Sequence, residues 1–427
     1  MQLKYGLDDR LPFGELILFG LQWFAVAVPS IIIIGKITGG CHFANADSQI
    51  IYLQKMAFVT GVTLVCQVLW GHRMPIILGP ATVLLIGVIA SRRFPIETIY
   101  TSIFCGGLVL FFLSVSGLFG YLKRLFTARV VTVVLLLIAF TLSPTVLNLI
   151  TVAEPRVVPP VNAVFALALT CAMLFLYRIL PGILRATLII WSMLFGSIAY
   201  FVLFPETMTT VTGSVNMPPV SLFFSNVMST FAFDMGVLVA FMFCFMALSI
   251  NDLGSIQAMN ELLKPSQTTK RITRGVTVTG LANVLAGFLG VIGPVNYSMS
   301  PGVIVSTKCA SRYAMLPAGL VLLGLAFSPM VLAIIGSVPP PIIGAVFIYI
   351  LCSQVVAGWV VARESAQVLD VSGALIIGLP ILLGTVIAFL PEDVIGSLPS
   401  VLRPLLGNGF VMGVIAALLF EHIVFRK

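Results

Sequence analysis

Two stretches decide the fold: RMPIILGPATVLLIG (Arg73–Gly87) and GVIGPVNYSMSPGVIV (Gly290–Val305). Each is a short apolar run interrupted by Gly and Pro, and each is the third hydrophobic segment of its half of the chain. Working outward, with breaks at charges, Pro and Gly, the first half reads Glu15–Ile34, Gln49–Leu69, Pro75–Ala90, Ile96–Leu118, Val130–Leu149, Pro160–Leu176 and Ala186–Phe204. After the polar connection Pro205–Pro219 the second half reads Phe231–Leu262, Val276–Val291, Pro294–Ser311, Ala314–Ile335, Ile342–Val361, Val371–Leu390 and Gly409–Val424. Runs of about 20 apolar residues are what a bilayer-crossing helix needs. The expectation is an all-α polytopic membrane protein with 14 transmembrane spans. Seven is odd, so the two halves enter the membrane with opposite orientation, the arithmetic of an inverted repeat. Paired broken segments, spans 3 and 10, then mark a binding site near the bilayer midplane, because an unwound stretch exposes backbone donors beside a half-helix N-terminus.

Composition agrees with this reading. Of the 427 residues 59% are hydrophobic and 9% charged, with a mean hydropathy of +1.13, against roughly 45–50% apolar in soluble domains. Six of the seven cysteines, Cys66, Cys105, Cys171, Cys244, Cys309 and Cys352, sit inside apolar runs and read as small hydrophobes without a disulfide framework. The polar, acidic start MQLKYGLDDRLPFGEL has no basic n-region, so the first apolar run is kept as a span. If every segment crosses, 17 of the 23 Lys and Arg fall on one side and six (Lys36, Lys55, Arg92, Arg93, Arg156, Arg403) on the other. That asymmetry places both termini in the cytoplasm, with Arg124 and Arg271 inside and Arg92 and Glu154 outside. It also explains the net charge of +8 without any nucleic acid.

Four stretches, in order, carry a resemblance: GLQWFAVAVP (Gly20–Pro29), MPIILGPATVL (Met74–Leu84), RGVTVTGLANVLAGFLGVIGPVNYS (Arg274–Ser298) and VPPPIIGAVFIYILCSQVVAGW (Val338–Trp359). Together they are similar to the motifs of the nucleobase/ascorbate transporters (nucleobase:cation symporter-2), which include the bacterial uracil and xanthine permeases. The resemblance covers nearly the whole chain. It implies a core domain of spans 1–4 and 8–11 (residues 1–120 and 219–337) and a gate domain of spans 5–7 and 12–14 (residues 121–218 and 338–427). It further implies elevator-like import of a nucleobase coupled to a cation, most simply a proton, by a homodimer in the bacterial inner membrane. Departures are equally plain. Gln22 is followed by Trp23 where the family has His. Asn251 stands at the carboxylate position of span 8 with Asp252 beside it, Ser255 replaces a His or Asp, and Met299 falls where span 10 has an acid or amide. Loss of both acidic positions keeps a second reading open, an anion transporter of the related sulfate/bicarbonate architecture, in which paired half-helix N-termini attract the substrate.

The candidate substrate residues are Thr82 in the first broken segment, Tyr297, Ser298, Met299 and Ser300 in the second, and Asn251 and Ser255 in span 8, with Gln22 as a supporting polar group. Small hydroxyls and free backbone amides suit a polar heterocycle, and Tyr297 offers a face for stacking, although Ser and Thr also commonly bond preceding helical carbonyls. Asp252, in the run FDMGVLVAFMFCFMALSINDLGSIQAMNELL, is the candidate carrier of a coupling proton, since an ionisable group inside such a run is costly. The bland alternative ends the hydrocarbon near Leu248 and leaves Asn251 and Asp252 in water. Neighbouring helical residues point about 100° apart, so Asn251 should face the substrate and Asp252 the bundle. Asp234, Glu15, Glu206, Glu392 and Asp393 read as solvated ends. His42, His72 and His422 read as scattered in loops or tails without metal-ligand spacing. No P-loop, GxSxG or HExxH appears, so no enzyme and no cofactor is expected.

Overall fold

The computed structural model describes residues 3–117, 125–153, 157–181, 184–185, 187–208, 217–224, 230–297, 299–364, 371–399 and 402–425. Helices come first: α1 (Phe13–His42), α2 (Ala46–Leu69), a three-residue strand β1 (Leu78–Pro80), α3 (Thr82–Ala90) and α4 (Ile96–Val115). They continue with α5 (Ala128–Thr141), α6 (Ser143–Ile150), α7 (Pro159–Ile179) and α8 (Leu188–Leu203). The second half repeats the order with α9 (Met235–Leu263), α10 (Thr268–Leu289), β2 (Pro294–Asn296), α11 (Ser300–Thr307), α12 (Leu316–Ala326), α13 (Pro329–Gly336), α14 (Pro340–Glu364), α15 (Val371–Ala388) and α16 (Gly409–Leu419). Polar residues set several starts: Asn45, Thr127, Asp234 and Asn408 each accept from a backbone N–H three residues on. Asp234 is thus a capping residue as well as a span end.

Among the described residues eight helices are long and apolar enough to cross a membrane, nine if one bent pair counts as a span. The protein is an integral membrane protein with multiple spans. Two differences from the expected segments stand out. Span 11 is no straight helix: Arg312–Ala326 and Pro329–Gly336 meet at 101°, where Pro329 lacks the N–H a continuing helix requires. Spans 3 and 10 are each a strand followed by a short helix, so the chain is not purely helical. Lys55, counted on the outer side, lies within α2 as the expected segment Gln49–Leu69 has it, and is 7% exposed.

Two groups of helices form. In the first, α4 runs along α10 and α2 along α12, while α1 packs on α2 and α12, and α9 on α3, α4 and α10. Small residues permit the closest of these approaches. A Cβ at Gly107 would lie 2.6 Å from the backbone N of Val284, and one at Gly280 would lie 2.7 Å from that of Phe111. Gly61 and Gly319 make the matching contact between α2 and α12. In the second group α14 packs on α5, α6 and α7, and α15 on α5 and α16. Phe112, Phe175, Val202, Trp359 and Leu382 are each more than half exposed, which suits lipid and not water.

One end of the first group is tied together by its loops. Lys4 N donates to Lys308 O (2.8 Å), Arg312 bonds Asp8 (2.7 Å) and the Val68 carbonyl (2.8 Å), and Arg271 donates to the carbonyls of His72 and Arg73 (3.0 and 2.8 Å). These residues all belong to the Lys/Arg-rich side of the sequence count.

Candidate functional site

The two broken segments meet. β1 and β2 pair antiparallel with Leu78 opposite Asn296, Gly79 opposite Val295 and Pro80 opposite Pro294. The prolines lack an N–H and end the ladder after three residues. Hydrogen bonds from Tyr297 N to Ile77 O and from Ala81 N to Gly293 O, both 2.9 Å, close the crossing at either side. Beyond it each chain turns directly into a short helix, α3 at Thr82 and α11 at Ser300, with no side-chain cap on either. First-turn N–H groups without a side-chain cap, those of Thr82 and Val83 in α3 and of Ser300 in α11, where Pro301 has none and Gly302 N bonds Met299 O, flank one buried crossing, and such groups favour an electron-rich partner.

α1 and α9 hold the crossing from its flanks. In α1, Pro29 interrupts the helix ladder and Ser30 approaches Gly79: a Cβ there would be 2.7 Å from Ser30 Oγ and 2.7 Å from the Tyr297 hydroxyl. In α9 two faces do different work. Asp252 and Ser255, three residues apart and so on one face, are buried against β2. Asp252 Oδ1 accepts from Asn296 N (3.1 Å) and Asn296 Nδ2 (2.7 Å), and Ser255 Oγ lies 2.8 Å from the Asn296 carbonyl and 2.9 Å from that of Asn251. Asn251 and Gly254 share the other face. Asn251 is half-buried, its side chain has no hydrogen bond among the described residues, and a Cβ at Gly254 would meet open space.

The remaining candidates divide in the same way. Tyr297 donates to Pro80 O at 2.8 Å, and the buried Ser300 hydroxyl accepts from Ile77 N at 2.9 Å and donates to Tyr297 O at 3.1 Å. Ser255, Tyr297 and Ser300 thus have their hydroxyl protons engaged in holding the crossing. Thr82 opens α3 half-buried, Met299 is 43% exposed just before α11, and Gln22 is half-buried with no side-chain hydrogen bond among the described residues. Trp23 fills the core at 3% exposure. Ser298 lies outside the described residues, as do Arg124 and Glu154.

Three features escaped the sequence. His72 is no loop histidine: it is fully buried, with Nε2 3.3 Å from Asn296 Oδ1 and Nδ1 accepting from Met74 N at 3.0 Å. Gln67 donates to Gly275 O (2.9 Å) and Thr279 Oγ1 (3.1 Å), and Asn283 donates to the carbonyls of Thr279 (2.8 Å) and Pro294 (3.0 Å). Gln67 and Asn283 carried a signal, a polar amide inside an apolar run. His42 closes α1 and packs edge-on against Tyr100, ring centres 5.5 Å apart. Among the described residues no cluster of His, Cys, Asp and Glu could hold a metal. A groove of about 670 Å³ between α7 and α8 and a cavity of about 260 Å³ between α1, α2, α13 and α8 both lie away from the crossing.

A sequence model of the permease family, labelled for xanthine and uracil, matches residues 14–393. The chain belongs to the xanthine/uracil permease family. It is 23% identical to the uric acid permease PucK of Bacillus subtilis over 95% of this chain and 94% of that protein. It is 22% identical to the xanthine permease of the same species over 98% and 96%. Among solved structures, the transmembrane domain of a cyanobacterium bicarbonate transporter, BicA, is similar in fold, with a TM-score of 0.64 at 16% identity over 90% of this chain and 98% of that one. The protein is a membrane transporter of the permease family and not an enzyme.

Proposed function

We propose that the protein imports a purine nucleobase, xanthine or uric acid in the first place, in symport with protons. The observation that carries this reading is the antiparallel crossing of β1 and β2 with an uncapped helix start beyond each strand, in a chain of this family. An oxidised purine presents carbonyl oxygens and ring N–H groups in one plane. Backbone N–H groups at the helix starts serve the oxygens, and the Asn251 amide, which both donates and accepts, serves a mixed edge. Thr82, Met299 and Gln22 complete the surroundings, and Asp252 carries the coupling proton. The relatives named for uric acid and xanthine support a purine over uracil. They also weigh against the anion reading, because the likeness to the bicarbonate transporter is one of fold.

The motion we infer is an elevator-like displacement of the first helix group, as core, against the second, as gate. Fourteen crossings in two inverted repeats account for the packing. The contact of α4 with α10 has its counterpart in α2 with α12, that of α9 with α4 in α1 with α12, and that of α15 with α5 in α7 with α14. A homodimer in the bacterial inner membrane with both termini cytoplasmic completes the reading. The test is uptake of radiolabelled xanthine, uric acid and uracil into proteoliposomes with and without an inward proton gradient. Gradient-driven purine uptake, blocked by a protonophore, is expected. Uptake of bicarbonate or sulfate with no competition from any nucleobase would overturn it.

A further inference from the structure

Asn296 is the most tightly held polar residue of the crossing. Its backbone N–H and side-chain Nδ2 both donate to Asp252 Oδ1, its carbonyl accepts from Ser255, and its Oδ1 faces His72 Nε2. The orientation of that amide is decided from behind. Because Met74 N–H donates to His72 Nδ1, the imidazole proton sits on Nε2 and is donated to Asn296 Oδ1. The Asn296 NH2 is thereby turned toward Asp252. On its far side Asp252 Oδ2 is buried and has no hydrogen bond among the described residues. The polar group beside it is the Thr279 hydroxyl, itself held by Gln67 Nε2 at 3.1 Å. A hydroxyl can donate to a carboxylate and accept from a carboxylic acid, so Thr279 is the group placed to serve Oδ2 in either form.

No charge competes for that carboxyl among the described residues. Of the elements packed on α9, α3, β2, α11 and α16 carry no titratable side chain. On α4, Glu97, Tyr100 and Cys105 do not bond Asp252, and Tyr100 is paired with Tyr52. On α10, Lys270 and Arg274 make no contact with it, and Arg271 is engaged by the carbonyls of His72 and Arg73. Arg403, on the short helix packed against α9, bonds the carbonyls of Gly396 and Leu398.

We infer that His72, Asn296 and Asp252 form a buried relay in which the proton on the Asp252 carboxyl sets how firmly α9 grips β2, with His72 and Thr279 as positioning residues. The inference deepens the proton-coupled reading above and rests on it. When the carboxylate takes up the coupling proton at Oδ2, the new O–H donates to Thr279 Oγ. Oδ1 then loses charge and its two bonds to Asn296 weaken. β2 leads through Tyr297 into the start of α11, so the change is delivered to the substrate cradle through the backbone.

The full chain in proteoliposomes, with labelled xanthine as the probe, tests the relay through the pH profile of gradient-driven uptake. His72→Phe frees the Asn296 amide to turn its oxygen toward Asp252. The pH of half-maximal uptake should then rise by about one unit, since a carboxylate deprived of a donor keeps its proton to higher pH. His72→Gln, which can still donate to Asn296 Oδ1, should return the profile most of the way. Thr279→Val removes the group that serves both forms and should reduce stimulation by the gradient about tenfold; it decides the matter if His72→Phe does not fold. Wild-type uptake indifferent to pH and gradient would sink the coupling reading and the relay together. Proton-coupled wild-type uptake with an unchanged profile in His72→Phe and Thr279→Val overturns the relay alone.

Discussion

A Cβ at Gly79 would stand 2.7 Å from Ser30 Oγ and from the Tyr297 hydroxyl, so even alanine has to displace one of them from the centre of the crossing. Gly79→Ala is expected to lower stability by about 1–3 kcal/mol, read as a lower unfolding temperature in detergent. In a Ser30→Ala, Tyr297→Phe background the added loss should shrink, because the two oxygens it collides with are gone. Asn251 makes the opposite kind of prediction. Its amide has no hydrogen bond among the described residues and lies on the open face of α9, so Asn251→Ala should leave stability unchanged and weaken purine binding about tenfold at every pH, measured by direct binding of labelled substrate. The 100° between neighbouring helical positions was enough to separate Asn251 from Asp252 in the sequence. It was not enough for His72, whose partner Asn296 lies 224 residues away. A lone histidine between two apolar runs carries no sign that a distant strand will bury it.

At the level of elements, hydropathy found the helices because lipid imposes length and apolarity on every one of them. It found the broken segments because Gly and Pro stand out in such runs. It did not find β1 and β2, since three residues show no alternation and their pairing is wholly long-range. Nor did it find the bend at Pro329, which lies inside the segment Ala314–Ile335 read as one span. The glycines of α4 and α10 were equally silent: in apolar sequence a glycine at a helix crossing looks like a glycine facing lipid. The structure separates them. Gly280→Leu, with backbone of Phe111 2.7 Å from its first side-chain atom, should cost about 3 kcal/mol or more and abolish the monodisperse folded protein. Gly324→Ala in α12, with nothing within 4 Å, should change stability by less than about 0.5 kcal/mol. Equal losses for the two would mean that α4 and α10 do not cross where these contacts put them.

For the whole molecule, two separate arguments bear on the proposed topology, and one labelling experiment tests both. Antiparallel pairing of β1 and β2 sends α3 and α11 away from the crossing in opposite directions. In the inverted-repeat reading the loop after α3, with Arg92, and the residue that ends α11, Lys308, are expected on opposite faces of the membrane, whichever face is cytoplasmic. Which is which follows from charge. Lys308 is joined through backbone bonds to Lys4 and, along the same loop, through Arg312 to Asp8 and the end of α2, a face where the Lys and Arg excess gathers, and positive loops stay in the cytoplasm. Single cysteines at 92 and 308 are to be placed in a background without the seven native ones, three of which (Cys41, Cys171, Cys352) are exposed. An impermeant maleimide applied to intact cells should label position 92 at once and position 308 after permeabilisation. Labelling of 308 from outside and 92 from inside would reverse the orientation and keep the inverted repeat. Labelling of both from one side would count against the inverted repeat, which sends the two short helices to opposite faces.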